Sequence, residues 1–126
     1  METLTNLDIA YLRPLLKTRS DDSHKGQYGH LLLVSGCQTM PGAAVLATGA
    51  ALHSGCGLVT LHSTAYAVQA AVSTFPSAML SLDPGNSFSR IPEGLMRFGA
   101  IAVGPGLGRS ETTAKAFEIL LARAQR

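Results

Sequence analysis

The sequence predicts an α/β fold in which a largely parallel sheet is covered by helices. Three observations predict it. Short apolar runs alternate with helical stretches along the chain. Residues 26–82 contain no Asp, Glu, Lys or Arg. Elements without charge cannot present ordinary solvent faces, and parallel strands sandwiched by helices need cover on both sides. The third observation is two glycine-rich loops, each joining a predicted strand to a predicted helix.

Residues 5–12 read as a short helix that Thr5 caps, with Asp8 three positions on. Arg13-Pro14 opposes its continuation. Residues 17–29 are polar, contain glycine and read as a loop. His30 to Ser35 is the first buried strand, and Gly36 to Gly42 the turn that follows it. Residues 42–54 form a helix of small side chains, with Pro41 at its start and Gly55 at its end. Gly57 to His62 is the second strand, 64–73 a helix and Ala78 to Leu82 the third strand. Residues 83–94, with two prolines and two glycines, read as a loop within the domain. Phe98 to Val103 is the fourth strand and runs into Gly104-Pro105-Gly106-Leu107-Gly108. The last helix spans 110–125, with Ser110 as N-cap and Glu111–Lys115 as an i,i+4 pair. No sequence repeat or low-complexity tract interrupts this order. The chain ends inside this helix with no return strand, so the sequence is expected to be the first part of a longer domain.

Composition narrows the function classes. The 126 residues are 46% hydrophobic and 14% charged, with a net charge of +2. A single domain of this size buries roughly two-thirds of its unfolded surface. Low charge and no Lys/Arg cluster argue against a nucleic-acid binder. No apolar run reaches the roughly 18 residues of a membrane span. The N-terminus lacks the pattern of a signal peptide, so a cytoplasmic location is expected. Two cysteines, Cys37 and Cys56, make no disulfide scaffold and read as buried thiols. His24, His30, His53 and His62 show no metal-ligand spacing, and no metal site is expected. His30 and His62 flank strands and read as packed or surface residues.

The two glycine loops are the candidates for chemistry. The first is Ser35-Gly36-Cys37-Gln38-Thr39-Met40-Pro41-Gly42-Ala43-Ala44, the second Gly104 to Ser110. Each brings bare N–H groups to a helix N-terminus, where the dipole favours an anion. Neither fits a P-loop, and the second reads G-x-G-x-G rather than G-x-G-x-x-G. Each alone is a common structural turn.

Together the motifs resemble a known family. His24-Lys25-Gly26, Tyr28-Gly29, Met40-Pro41-Gly42-Ala43-Ala44, Ala51 to Thr60 and Gly104-Pro105-Gly106-Leu107-Gly108 stand in the order found in the ADP/ATP-dependent NAD(P)H-hydrate dehydratases. These have the three-layer α/β/α ribokinase-like fold, related to carbohydrate kinases. The resemblance implies a lyase of metabolite repair that restores NADH or NADPH from the S-form of the hydrates NADHX and NADPHX, with ADP or ATP and Mg2+. It places Gly42, Ala43, Gly104 and Gly106 against the dinucleotide, and Lys25 and Tyr28, with His24 and Gly26, on the approach. It covers the N-terminal half of the family domain. The family's catalytic Gly-Thr-Gly-Asp motif is absent from these residues, so no catalytic residue is assigned and the 126-residue chain alone is expected to be inactive. His53 and Cys56 stand where the family usually has Arg and Ala. The family implies a homo-oligomer and an epimerase partner. Two other readings stay open: a sugar or vitamin-precursor kinase of the same superfamily, and a non-catalytic dinucleotide-binding or assembly module.

Overall fold

The computed structural model describes residues 4–124. Its four strands are β1 (His30–Val34), β2 (Leu58–Thr64), β3 (Met79–Asp83) and β4 (Ala100–Val103). All pair in parallel, in the order β3-β2-β1-β4. The helices are α1 (Ile9–Leu12), α2 (Pro41–His53), α3 (Ala65–Thr74) and α4 (Glu111–Ala124). The predicted three-layer α/β/α arrangement is present.

Alternation along the strands sorts the core into two halves. Leu33, Val59 and Leu61 face α2 and α3 and pack on Ala44, Ala67, Val68 and Ala71. Leu32 and Val34 face the other way, against Phe88, Phe98, Ala116 and Leu120. α2 approaches closely because its inward residues are small: Ala44, Thr48 and Gly49 are buried. The connection from β3 to β4 crosses the second face, and its Phe88, Ile91, Leu95 and Phe98 supply that face's cover beside α4.

The structure corrects several details. α1 begins at Ile9, and Asp8 rather than Thr5 caps it, its carboxylate accepting from the Tyr11 N–H at 2.9 Å. Four residues of the predicted loop, Lys25–Tyr28, form a 3-10 turn held by a capping box from His24 and Gln27. Cover over the charge-free stretch is incomplete. β2 is buried on both faces, but Leu46 of α2 is 77% exposed and Leu82 of the edge strand β3 is 63% exposed. Cys37 is buried as expected, whereas Cys56 is half-buried. Among the described residues no helix is long and apolar enough to cross a membrane. The Glu111–Lys115 pair forms at 2.9 Å in full solvent, where such pairs contribute little.

Candidate functional site

β1 and β4 are neighbours, yet the chain leaves them in opposite directions. β1 continues into α2 on one face of the sheet, and β4 into α4 on the other. Parallel strands whose connections diverge leave a crevice at their C-terminal ends, where open α/β sheets bind ligands. Both glycine loops meet there.

The loops are locked together. Gly36 N–H donates to the Pro105 carbonyl at 2.9 Å, and Gly104 N–H to the Val34 carbonyl at 3.1 Å. The Ser35 hydroxyl donates to the same Pro105 carbonyl at 2.9 Å. Gly106 has φ +76°, and a Cβ there would stand 2.5 Å from the Ala43 Cβ and 3.3 Å from the Gly36 Cα. The glycine thus serves contact between the loops: a side chain would separate them. Gly42 and Gly104 differ, since a Cβ at either would meet nothing within 4 Å. At these two positions the backbone is open to a ligand.

The two helix N-termini also differ. Ser110 caps α4, its hydroxyl oxygen accepting from the Thr113 N–H at 3.1 Å. The N-cap of α2, Met40, makes no side-chain cap bond. The first amides of α2 therefore keep their hydrogen-bonding capacity beside open Gly42, in the field of the helix dipole. On the α4 side, a cleft of about 340 Å³ is lined by Gly104, Leu107, Gly108, Ser110 and Phe117 among others.

Of the six residues singled out from the sequence, Gly42, Ala43, Gly104 and Gly106 come together here. Lys25 and Tyr28 do not join them. Their turn sits at the N-terminal ends of β1 and β2, where the Tyr28 carbonyl accepts from Gly57 N–H at 3.2 Å and the Gly29 carbonyl from Leu58 N–H at 3.0 Å. The Tyr28 ring lies under the Arg19 guanidinium, 4.5 Å from its carbon. These contacts tie the turn to the start of the sheet.

One group of residues escaped the sequence reading. Asp83, at the end of β3, is buried. Its Oδ1 accepts from Gly85 N–H (2.8 Å) and the Ser89 hydroxyl (2.6 Å). Its Oδ2 accepts from Ser89 N–H (2.8 Å), Arg90 N–H (3.0 Å) and His62 Nε2 (3.2 Å). His62 Nε2 also lies 2.8 Å from the Arg90 carbonyl. Both of these partners are acceptors, so Nε2 carries the proton. Nδ1, 2.8 Å from the Ser81 hydroxyl, then accepts from it, and the neutral ring is fully paired. Burial lowers the His62 pKa and outweighs the opposing pull of Asp83. Burial pushes the Asp83 carboxyl up, but the hydrogen bonds from Ser89, Gly85 and Arg90 more than offset this and hold it below its ordinary value. A signal was present in the sequence: an Asp ending a strand before Pro-Gly, with Ser following, is turn chemistry.

The sequence profile described as NAD(P)H-hydrate dehydratase matches residues 31–125. The chain belongs to this family. It is 35% identical over 106 residues to the ADP-dependent (S)-NAD(P)H-hydrate dehydratase of Listeria monocytogenes, covering 84% of this chain and 38% of that protein. It is 34% identical over 128 residues to the bifunctional NAD(P)H-hydrate repair enzyme of Moorella thermoacetica, covering 94% of this chain and 24% of that one. Among solved structures, the ADP/ATP-dependent NAD(P)H-hydrate dehydratase of Bacillus subtilis, co-crystallised with ATP/Mg2+, superimposes with a TM-score of 0.73 at 32% identity, over 90% of this chain and 40% of that one. A ribokinase-like superfamily protein of Enterococcus faecalis gives a TM-score of 0.77 at 26% identity, over 99% of this chain and 45% of that one. The chain thus spans less than half the length of each of these relatives.

Proposed function

We propose that this chain supplies part of the hydrated-dinucleotide site of an (S)-NAD(P)H-hydrate dehydratase, a repair lyase acting on NADHX and NADPHX. The observation that carries the reading is the β1/β4 crevice. There two interlocked glycine loops present open backbone at Gly42 and Gly104, beside the uncapped first turn of α2. The amides of Gly42 and Ala43 would hold an anionic oxygen of the dinucleotide, aided by the α2 dipole. Gly104 would admit ribose or phosphate against the backbone, and Gly106 would keep both loops in register. Lys25 and Tyr28 have no substrate role in this proposal, because they sit at the other end of the strands.

The phosphoryl donor is a separate matter. The described residues hold no group of three His, Cys, Asp or Glu that could bind a metal ion, and neither glycine loop has a P-loop lysine. Nucleotide-bound Mg2+ commonly needs only one or two carboxylates besides the phosphates, so the reason for placing the donor site in other parts of the enzyme is that the family's Gly-Thr-Gly-Asp motif is absent from these residues, and no step is routed through it. Phosphoryl transfer requires a positioned nucleotide and a base. The expected behaviour of the 126 residues alone is therefore binding without turnover. A cytoplasmic setting, self-association and an epimerase partner accompany the reading.

The test supplies purified (6S)-NADPHX with ADP or ATP and follows the return of NADPH. Binding without turnover by this chain supports the proposal. Failure to bind the hydrate contradicts it. Nucleotide-dependent turnover by the 126 residues alone would contradict the assignment of the donor site elsewhere.

A further inference from the structure

We infer that Asp83 is a positioning residue that braces both glycine loops through the 84–90 segment. The inference rests on the reading that those loops hold the dinucleotide, and extends it to a residue outside them.

The bracing is continuous in hydrogen bonds. The buried carboxylate gathers Gly85 N–H, Ser89 N–H, the Ser89 hydroxyl and Arg90 N–H, and so folds residues 84–90 into a fixed turn. His62 Nε2–H, donating to both Asp83 and the Arg90 carbonyl, ties that turn to β2. Phe88 is buried against the His62 ring, with ring centroids 5.7 Å apart. The crest of the turn then reaches both loops. The Asn86 carbonyl accepts from Gln38 N–H at 2.9 Å, in the first loop. The Ser87 hydroxyl accepts from the Thr113 hydroxyl at 2.9 Å and lies 3.3 Å from that of Ser110, the cap that ends the second loop. Ser110 in turn donates to Thr113 Oγ1 at 2.9 Å, which closes a ring of three hydroxyls. One segment therefore touches loops that leave the sheet on opposite faces, and one carboxylate shapes that segment. Charge-assisted bonds are about twice as strong as neutral ones, which suits a single side chain to this task.

The experiment compares Asp83→Asn and Ser87→Ala with the unaltered 126-residue chain by residue-resolved amide hydrogen exchange and by (6S)-NADPHX titration. The Asn amide must turn an NH2 toward donors that the carboxylate accepts. Opening at the Gln38 and Thr113 amides is expected to rise on the order of tenfold or more, the usual equivalent of losing hydrogen bonds to a charged group. Ser87→Ala should loosen Thr113 and leave Gln38 protected. Both variants should bind the hydrate several-fold more weakly, Ser87→Ala with little change in melting temperature. A merely structural role would not produce that last combination.

Faster exchange confined to residues 84–90 in Asp83→Asn would overturn the bracing. If Asp83→Asn does not fold, unchanged Thr113 exchange in Ser87→Ala would overturn it equally. Absence of hydrate binding by the unaltered chain would refute the substrate reading instead, and exchange still judges the bracing without ligand.

Discussion

Gly106→Ala is the most exposing single change, because its consequence is set by geometry alone. The residue has φ +76°, and an alanine Cβ would come within 2.5 Å of the Ala43 Cβ and 3.2 Å of the Met40 carbonyl oxygen. An L-residue in the left-handed region costs about 1–2 kcal/mol. Forcing a methyl into a packed contact costs about 1–3 kcal/mol more. The sum, roughly 2–5 kcal/mol, is a large share of the about 5–15 kcal/mol that holds a domain folded. Gly104→Ala is the control. It lies two residues away in the same turn, has no positive φ and would meet nothing within 4 Å, so its stability should stay within about 0.5 kcal/mol. Urea unfolding followed by circular dichroism reads both. Ala43→Gly added to Gly106→Ala should recover the part of the steric cost that the Ala43 Cβ causes and leave the backbone part and the tight approach to the Met40 carbonyl, a coupling of about 1–3 kcal/mol. If Gly106→Ala unfolds like the unaltered chain, or Gly104→Ala is equally destabilised, the account of interlocked loops is refuted.

Other expectations follow from single observations. Gly57→Ala would drive a Cβ into the Lys25 carbonyl oxygen; because the obstacle is backbone, urea titration should show the midpoint falling sharply or the chain failing to fold. Thr48→Val should stabilise by about 1 kcal/mol in the same assay, since Thr48 Oγ1 is the one buried side-chain polar atom without a hydrogen-bond partner among the described residues. The pKa values of His62 and His30 are both lowered from 6.5, chiefly by burial, so the folded state binds fewer protons than the unfolded chain. Stability should hold above pH 6.5 and decline as pH falls below it, with a further loss below 3.8 as Asp83 is protonated. A urea midpoint that is flat from pH 7 downward through about 5 would contradict this sign, and His62→Gln should reduce the slope, leaving the part due to His30.

The parts legible in the sequence were those written in local pattern. Apolar runs at 30–35, 57–62, 78–82 and 98–103 became parallel strands of four to seven residues, and Pro41, Gly55 and Ser110 marked helix limits where the structure has them. The paired glycine loops were visible as residue types, but the sequence did not separate open Gly42 and Gly104 from Gly106, whose Cβ position is taken up by Ala43. Their interlock was not, since it depends on β1 and β4 being neighbours although the chain between them passes through β2 and β3. The Asp83 network was hidden for the same reason. His62 and Asp83 lie 21 residues apart and meet only through the parallel register of β2 and β3. Lys25 and Tyr28 show the opposite error. A motif adjacent in sequence to β1 was expected on the approach to the pocket, whereas the strand carries the chain from that turn to the far end of the sheet before the first glycine loop begins.

The central claim is that the β1/β4 crevice holds the hydrated dinucleotide. Titrating the isotope-labelled chain with (6S)-NADPHX while following every backbone amide tests it most directly. The account predicts saturable shifts centred on Gly42, Ala43, Gly104 and Gly106, fading toward Lys25 and Tyr28. Shifts centred on Lys25 and Tyr28, or none at saturating hydrate, would contradict it.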